Sequence, residues 1–210
     1  MIHRILPVGP LQCNCSIIGD ETTREAVVVD PGAEVSRIQS ILADLGLTVK
    51  WIVITHAHID HIGGAGKLRA LTGAPVYMNE GDLQLFGRLD EQAAWLGMPE
   101  PEGIAIDVQL RDGDALDFAG RTFDVLHTPG HTQGSVSLLI GSESKLLAGD
   151  TLFRDSIGRT DLPGGDYRQI LRSIKTKLLA LDDGIEVVCG HGPNTTIGRE
   201  RALNMFLRHL

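Results

Sequence analysis

The chain has 210 residues, of which 42% are hydrophobic and 22% charged, and it contains 25 glycines. This composition is typical of a globular protein with many tight turns and excludes a disordered chain, and no apolar stretch is long enough to span a membrane. The formal net charge of −8, without a run of lysine or arginine, argues against nucleic acid as a partner, because phosphate binding depends on clustered positive charge. A small-molecule substrate is therefore expected.

The N-terminal segment and the cysteines both predict a cytoplasmic protein. Residues 1–7 lack the long apolar stretch and the cleavage site of a secretory signal. Cys13, Cys15 and Cys189 form an odd and sparse set, which indicates reduced thiols rather than disulfides. Cys13 and Cys15 lack the two-residue gap of common zinc and redox motifs, so their segment is predicted to be a core strand.

The first half of the chain predicts a strand, helix, strand unit. Apolar, β-branched runs bounded by turn residues indicate strands at Ser16–Ile18, Glu25–Val29 and Trp51–Ile54. Apolar residues at helical spacing indicate a helix over Ala33–Leu45, which Gly46 would end.

The second half also mixes strands and helices. Helices are predicted from about Tyr167 to Leu181, with Asp166 as N-cap, and from about Gly198 to His209. The segment Gly97–Gly103 is too short to separate two domains, so we expect one domain over residues 1–210, with two sheets that are each covered by helices. The strands predicted in this half are Arg121–Leu126, Ser135–Ile140, Lys145–Ala148 and Glu186–Val188.

The strongest chemical signal follows the strand Trp51–Ile54. Alternate residues of an extended segment project to the same side, so His56 and His58 can share one metal ion, whereas Asp60 and His61 lie in the turn into the next helix and can face another. Imidazole and carboxylate groups suit zinc, iron and similar cations. Such a dense cluster is improbable as plain loop composition in a chain with 8 histidines.

Three later segments place a candidate ligand directly after an apolar strand and next to glycine. These candidates are His131, Asp150 and His191. Loops at strand ends commonly carry binding residues, and glycine lets the backbone approach a metal closely. Each segment alone is a weak signal.

Together these residues resemble the ligand pattern of the metallo-β-lactamase superfamily over nearly the whole chain. The resemblance implies an α/β fold, a four-layer αβ/βα sandwich, that holds two divalent metal ions. It implies the following ligands: His56, His58 and His131 for the first ion, Asp60, His61 and His191 for the second, and Asp150 as the bridge between them.

Within the superfamily, the segment around Asp150 is similar to glyoxalase II, which hydrolyses hydroxyacyl-glutathione thioesters. The segment Gly158–Asp161 extends the likeness, although Arg159 and Asp161 take the places of a lysine and a tyrosine that grip glutathione. The chain lacks the C-terminal helical region of glyoxalase II and the tyrosine after the last ligand, so it resembles the short bacterial form. Either glutathione would then be recognised by Arg159 with Arg154 or Arg199, or the preferred thioester would be a different one.

The resemblance implies a metal-dependent hydrolase of S-(2-hydroxyacyl)glutathione, such as S-lactoylglutathione. Two divalent ions lower the pKa of a shared water toward neutrality, so that a metal-bound hydroxide becomes available, and they polarise the acyl carbonyl. Asp60 is the predicted catalytic residue, because it can orient the nucleophile and relay its proton. Zinc is the expected metal, with iron or manganese as alternatives, and a monomer is the default expectation.

Other interpretations stay open at this point. Persulfide dioxygenases share the fold and a similar Gly-Arg-Thr-Asp segment, but they use a single iron and molecular oxygen. A module that binds metal without catalysis is a third possibility, and the acidic balance disfavours a nuclease. His127, on the strand before His131, is predicted to be a structural residue rather than a ligand.

Overall fold

The structure, a computed structural model, describes residues 1–208. The chain divides into two compact units, Met1–Gln109 and Leu110–Leu210. Within the described residues, no helix combines the length and the apolar character that crossing a bilayer requires. The single domain over residues 1–210 stays a prediction.

The first unit contains a mixed sheet. Its strands are β1 (Ile2–Val8), β2 (Cys13–Gly19), β3 (Glu25–Val29), β4 (Thr48–Val53), β5 (Val76–Asn79) and β6 (Val108–Leu110), in that spatial order. Strands β1, β2 and β3 pair antiparallel, whereas β3, β4 and β5 pair parallel. Its helices are α1 (Val35–Asp44), α2 (Ile59–Ile62), α3 (Ala65–Thr72), α4 (Leu83–Phe86) and α5 (Leu89–Leu96).

The predicted strand, helix, strand unit is confirmed with small shifts. Strand β3 has the predicted bounds, and β2 begins earlier than predicted, at Cys13, and is buried throughout. Both cysteines of β2 therefore lie in a core strand, as predicted. Helix α1 begins at Val35 because Glu34 has a left-handed backbone, and it ends before Gly46, whose φ of 61° gives the expected stop.

The second unit contains a sheet of the order β14-β13-β10-β9-β8-β7. Neighbours in this sheet pair antiparallel except β10 and β13, which are parallel. These strands are β7 (Ala115–Phe118), β8 (Arg121–His127), β9 (Val136–Ile140), β10 (Lys145–Gly149), β13 (Glu186–Cys189) and β14 (Thr195–Thr196). A separate hairpin is formed by β11 (Leu152–Phe153) and β12 (Ser156–Ile157), and the α-helices are α6 (Tyr167–Ser173) and α7 (Ile197–Leu203).

The two predicted helices of this unit are present but end differently. The Asp166 side chain caps α6 by accepting from the Gln169 N–H at 2.9 Å, as predicted. After Ser173 the chain continues as a π-helix over Ile174–Leu178 rather than as an α-helix to Leu181. Helix α7 ends at Leu203, since Asn204 is extended (φ −68°, ψ 118°), and the predicted end at His209 lies outside the described residues.

Candidate metal centre

Four of the predicted ligands belong to the loop between β4 and the end of α2. The strand ends at Val53, and the side chains that follow it are largely hidden from solvent: Thr55, His56, Asp60 and His61 are buried, while His58 is half-buried. The ring centroids of His56 and His61 lie 4.0 Å apart, and those of His56 and His58 lie 4.8 Å apart. The loop thus gathers three imidazoles and one carboxylate, as the sequence predicts.

A buried aspartate that the sequence reasoning missed orients two of these histidines. Asp30 directly follows β3, and its carboxylate accepts from the Thr55 N–H at 2.7 Å, from the Thr55 hydroxyl at 2.7 Å and from His61 Nδ1 at 2.9 Å. Because the Thr55 hydroxyl donates to Asp30, His56 Nδ1, 3.1 Å away, is the donor to Thr55 Oγ1. Both imidazoles therefore keep the lone pair on Nε2, the tautomer that a metal ligand needs.

The other three predicted ligands leave the sheet of the second unit at one edge. Strands β10 and β13 are parallel neighbours, and Gly149 pairs with Cys189, so Asp150 and His191 follow at the same end. The Gly190 N–H donates to the Gly149 carbonyl at 2.8 Å and holds these two ends together. Strand β8 runs in the same direction as β10, because both pair antiparallel with β9, and His131 follows its end.

Asp150 lies between the two histidines of its unit. Its Oδ2 is 3.6 Å from His131 Nε2 and 3.6 Å from His191 Nε2. In the first unit, the corresponding distance from Asp60 Oδ2 to His61 Nε2 is 3.7 Å. Asp150 is thus equidistant from two imidazoles, which is the arrangement that a bridging carboxylate requires.

These three distances fit metal ligands better than hydrogen bonds. A hydrogen bond between nitrogen and oxygen is normally shorter than 3.2 Å. Two ligand atoms bound to one tetrahedral zinc at roughly 2.0–2.1 Å are roughly 3.4 Å apart. The ligand atoms are imidazole nitrogens and carboxylate oxygens, which suit borderline divalent ions such as zinc or iron.

His131 is oriented by the main chain rather than by a carboxylate. Its Nδ1 donates to the Arg159 carbonyl at 2.8 Å, which directs Nε2 toward Asp150. The predicted ligands are among the histidine and aspartate side chains that could hold a metal ion. The assignment of particular ligands to each ion stays a prediction of the resemblance.

Glycines make room for the ligand segments. A Cβ on Gly190 would lie 2.0 Å from Asp150 Oδ1, and one on Gly32 would lie 1.5 Å from the Asp60 carbonyl oxygen. Neither distance is possible for a real side chain, so Asp60 and Asp150, the two predicted acidic ligands, can take these positions only beside glycine.

The cysteines do not join the site as thiolates. Cys13 Sγ lies 3.5 Å from His61 Nδ1, but burial raises the pKa of its thiol to about 12. Burial likewise raises the pKa of Cys189, which precedes Gly190, to about 12. At neutral pH both are uncharged thiols, in agreement with the predicted core role.

The arginines predicted to bind substrate differ in their surroundings. Arg159 is exposed and donates two hydrogen bonds of 2.8 Å to Asp161, from Nε and from Nη2. The Arg159 guanidinium holds the pKa of Asp161 at about 2. Arg154 is exposed, with its Nε 3.9 Å from Asp155, while Arg199 pairs with Asp155 and Glu200. His127, predicted to be structural, lies 2.9 Å through Nε2 from the Gln133 carbonyl.

The fold and the paired histidine and aspartate clusters define a class of metal-dependent enzymes, and comparison with known proteins identifies the family. A family model for the metallo-beta-lactamase superfamily matches residues 8–191. The hydroxyacylglutathione hydrolase GloC of Haemophilus influenzae is 40% identical over 205 residues, which cover 97% of this chain and 96% of GloC. The "Probable metallo-hydrolase YqgX" of Bacillus subtilis is 36% identical, with 99% and 98% of the two chains covered.

Solved structures give the same result. The chain matches the BLEG-1 B3 metallo-β-lactamase with a TM-score of 0.92 and 38% identity, covering 99% of this chain and 100% of that one. It matches TTHA1623 in a di-iron-bound form with a TM-score of 0.87 and 37% identity, over 97% and 100% of the chains. It matches ETHE1 from Myxococcus xanthus with a TM-score of 0.82 and 33% identity, over 98% and 84%.

The chain therefore belongs to the metallo-β-lactamase superfamily. The predicted metallo-β-lactamase fold, an α/β sandwich with two mixed sheets and helices, is confirmed. The chain is a metallo-hydrolase of this superfamily with a histidine and aspartate metal site.

Proposed function

We propose that this protein is a dinuclear thioester hydrolase that cleaves S-(2-hydroxyacyl)glutathione, such as S-lactoylglutathione, to glutathione and a 2-hydroxy acid. The observation that carries the proposal is the Asp150 carboxylate, equidistant at 3.6 Å from His131 and His191, in a chain that is 40% identical to the hydroxyacylglutathione hydrolase GloC. A carboxylate so placed can serve two ions at once.

Seven side chains would hold two metal ions. Divalent ions at these positions would supply Lewis acidity, which lowers the pKa of water and polarises a carbonyl. Zinc is the proposed native metal, and iron is the alternative supported by the di-iron form of TTHA1623. The proposed ligands are His56, His58 and His131 for one ion, Asp60, His61 and His191 for the other, and Asp150 for both.

Asp60 is the proposed catalytic residue of the chain. Its carboxylate lies beside His61 Nε2 and is only 8% exposed, so it can orient an attacking water and accept its proton in surroundings with little competing solvent. Asp30 keeps the His61 ring in place during this transfer through its hydrogen bond to Nδ1. A thiolate leaves without a proton donor, so no further acid is required for a thioester.

Glutathione carries carboxylates that exposed arginines can bind. The main-chain carbonyl of Arg159 orients His131, and the Arg159 guanidinium already binds one carboxylate, that of Asp161. Arg154, on the hairpin after Asp150, offers a second cation. A substrate carboxylate in place of Asp161 would put the thioester near the metals through a bidentate contact.

A second candidate activity is oxidation of glutathione persulfide with a single iron and oxygen, because the segment Gly158–Asp161 is similar to the Gly-Arg-Thr-Asp segment of persulfide dioxygenases. The similarity to a B3 metallo-β-lactamase adds β-lactam hydrolysis as a third arm of the test. A cytoplasmic location and a monomeric state remain proposals.

The deciding experiment compares these substrates on one preparation. Purified protein is given S-lactoylglutathione, other acyl-thioesters, a cephalosporin and glutathione persulfide, and its metal content is measured on the same sample. The proposal expects release of glutathione from the 2-hydroxyacyl thioester as the fastest reaction. Oxygen consumption with the persulfide and no thioester cleavage would replace it with the dioxygenase.

A further inference from the structure

The backbone around His58 is held by side chains from outside its own loop. His58 occupies the N-cap position of the short helix α2, with φ −75° and ψ 143°, and its side chain makes no capping hydrogen bond. An N-cap side chain normally accepts from a backbone N–H of the first turn. A metal ligand at this position cannot do so, because its ring is committed to the ion.

Gln92 of α5 supplies hydrogen bonds on both sides of His58. Its Oε1 accepts from the Ile59 N–H at 3.0 Å, and its Nε2 donates to the Ala57 carbonyl at 3.2 Å. The same Nε2 donates to the Leu85 carbonyl at 3.2 Å, which fixes the orientation of the amide. Only a side chain with one acceptor and one donor at this spacing can make this set, so glutamate cannot replace it.

Asp82, the last residue of the 3₁₀ turn Glu80–Asp82, also binds the backbone beside His58. Its carboxylate accepts from the Ala57 N–H at 2.9 Å, and the side chain is 1% exposed. The turn is itself fixed by Asn79, whose side chain accepts from the Gly81 N–H at 2.8 Å. Ala57 is therefore bonded through both its N–H and its carbonyl, by two different side chains.

We propose that Gln92 and Asp82 are positioning residues that hold the backbone flanking His58 and so set the position of His58 in the metal centre. The inference rests on the proposed metal centre but not on the proposed substrate. The segment from Asn79 to Leu96 thereby gains a role in metal binding that its lack of histidine hides from sequence reasoning.

The test is a metal-binding measurement on Gln92→Ala and Gln92→Glu, with Gln84→Ala as the matched control from the exposed surface of α4. Zinc affinity is measured by competition with a chelator, and the cobalt-substituted proteins are compared by their visible absorption spectra. Thermal unfolding of the metal-free proteins is recorded beside them.

Both Gln92 variants are expected to bind zinc about 10- to 100-fold more weakly at one of two sites, with an altered cobalt spectrum, while Gln84→Ala is unchanged. Gln92→Glu is expected to be at least as weak as Gln92→Ala, because its second oxygen faces the Ala57 and Leu85 carbonyls. Affinity and spectra equal to the control would overturn the inference. So would metal-free Gln92 variants that are already unfolded at the assay temperature. Failure of thioester turnover in the wild-type protein would leave these metal readouts intact and would count only against the proposed function.

Discussion

The two units of the chain provide their candidate ligands in different ways. The first unit places four of them in one loop of six residues, His56–His61, whereas the second draws His131, Asp150 and His191 from the ends of three separate strands. Their supporting contacts differ too, because His61 is oriented by the Asp30 side chain and His131 by the Arg159 main chain. The candidate ligands of the loop can be identified from the sequence, and their positions are sensitive to side-chain changes. The positions of the three dispersed candidates depend instead on the register of the sheet.

The largest effect is expected from removing ligands of the first unit. His58→Ala and Asp60→Ala should abolish thioester turnover while leaving most of the fold, because each removes a proposed metal ligand and Asp60 is also the proposed proton acceptor. Turnover, metal content and circular dichroism check this. His3→Ala, at a histidine in β1, serves as the control. Full activity in either loop variant would refute the assignment.

One glycine substitution in each unit is expected to have a different effect, because the new Cβ contacts backbone in the first unit and a side chain in the second. Gly32→Ala pushes against the Asp60 backbone carbonyl, which cannot move without the loop, so a loss of roughly 1–3 kcal/mol or more in the free energy of unfolding is expected. In Gly190→Ala the new Cβ meets the Asp150 carboxylate, a side chain that can rotate. We therefore expect Gly190→Ala to bind less metal than the wild-type protein, while its free energy of unfolding falls by less than that of Gly32→Ala.

Denaturant unfolding and metal analysis of both variants test this difference. Gly184→Ala is the control, since its Cβ would meet no atom within 4 Å. Equal loss of stability in Gly32→Ala and Gly190→Ala would contradict the distinction.

The orienting contacts give the next effect. Asp30→Asn should weaken metal binding about 10- to 100-fold, because the amide cannot accept from the Thr55 N–H, the Thr55 hydroxyl and His61 together without presenting a donor.

Arg159→Ala should leave metal affinity unchanged, since the main-chain carbonyl that orients His131 remains, and should raise KM for S-lactoylglutathione. Metal loss in Arg159→Ala would show that its side chain supports the site as well.

The smallest effect concerns exposed ion pairs and pH. The Arg69 guanidinium holds the pKa of Asp107 at about 2, helped by the Val76 N–H. Since the folded pKa is below the unfolded value of about 4, this stabilisation is present above pH 4 and is lost as the pH falls through 2. Asp107→Asn should lower the melting temperature of the metal-free protein slightly at pH 7. It should also make the fall in melting temperature between pH 4 and pH 2 smaller. An unchanged pH profile would contradict this.

Much of the site could be predicted from the sequence because of one local pattern, a polar residue after an apolar strand and beside glycine. The pattern found Asp150 and His191, whose strands the structure pairs in parallel. The same pattern, in Val29-Asp30-Pro31-Gly32, could have found Asp30, but a lone aspartate without histidine neighbours did not stand out.

Other features could not be predicted because they depend on tertiary contacts. The π-helix at Ile174–Leu178 has the apolar spacing of an ordinary helix. The contacts of Gln92 with Ala57 and Ile59 join positions more than thirty residues apart, and nothing in the local sequence marks them. The Arg159 carbonyl that orients His131 is a main-chain group, which no residue type reveals.

We propose that one chain holds two metal ions and uses them to cleave a glutathione thioester. The most direct measurement is the rate of glutathione release from S-lactoylglutathione by wild-type protein as metal is returned to the metal-free form. We expect no activity without metal and full activity at two equivalents per chain. Full activity at one equivalent, or oxygen uptake with glutathione persulfide and no thioester cleavage at any metal content, would contradict it.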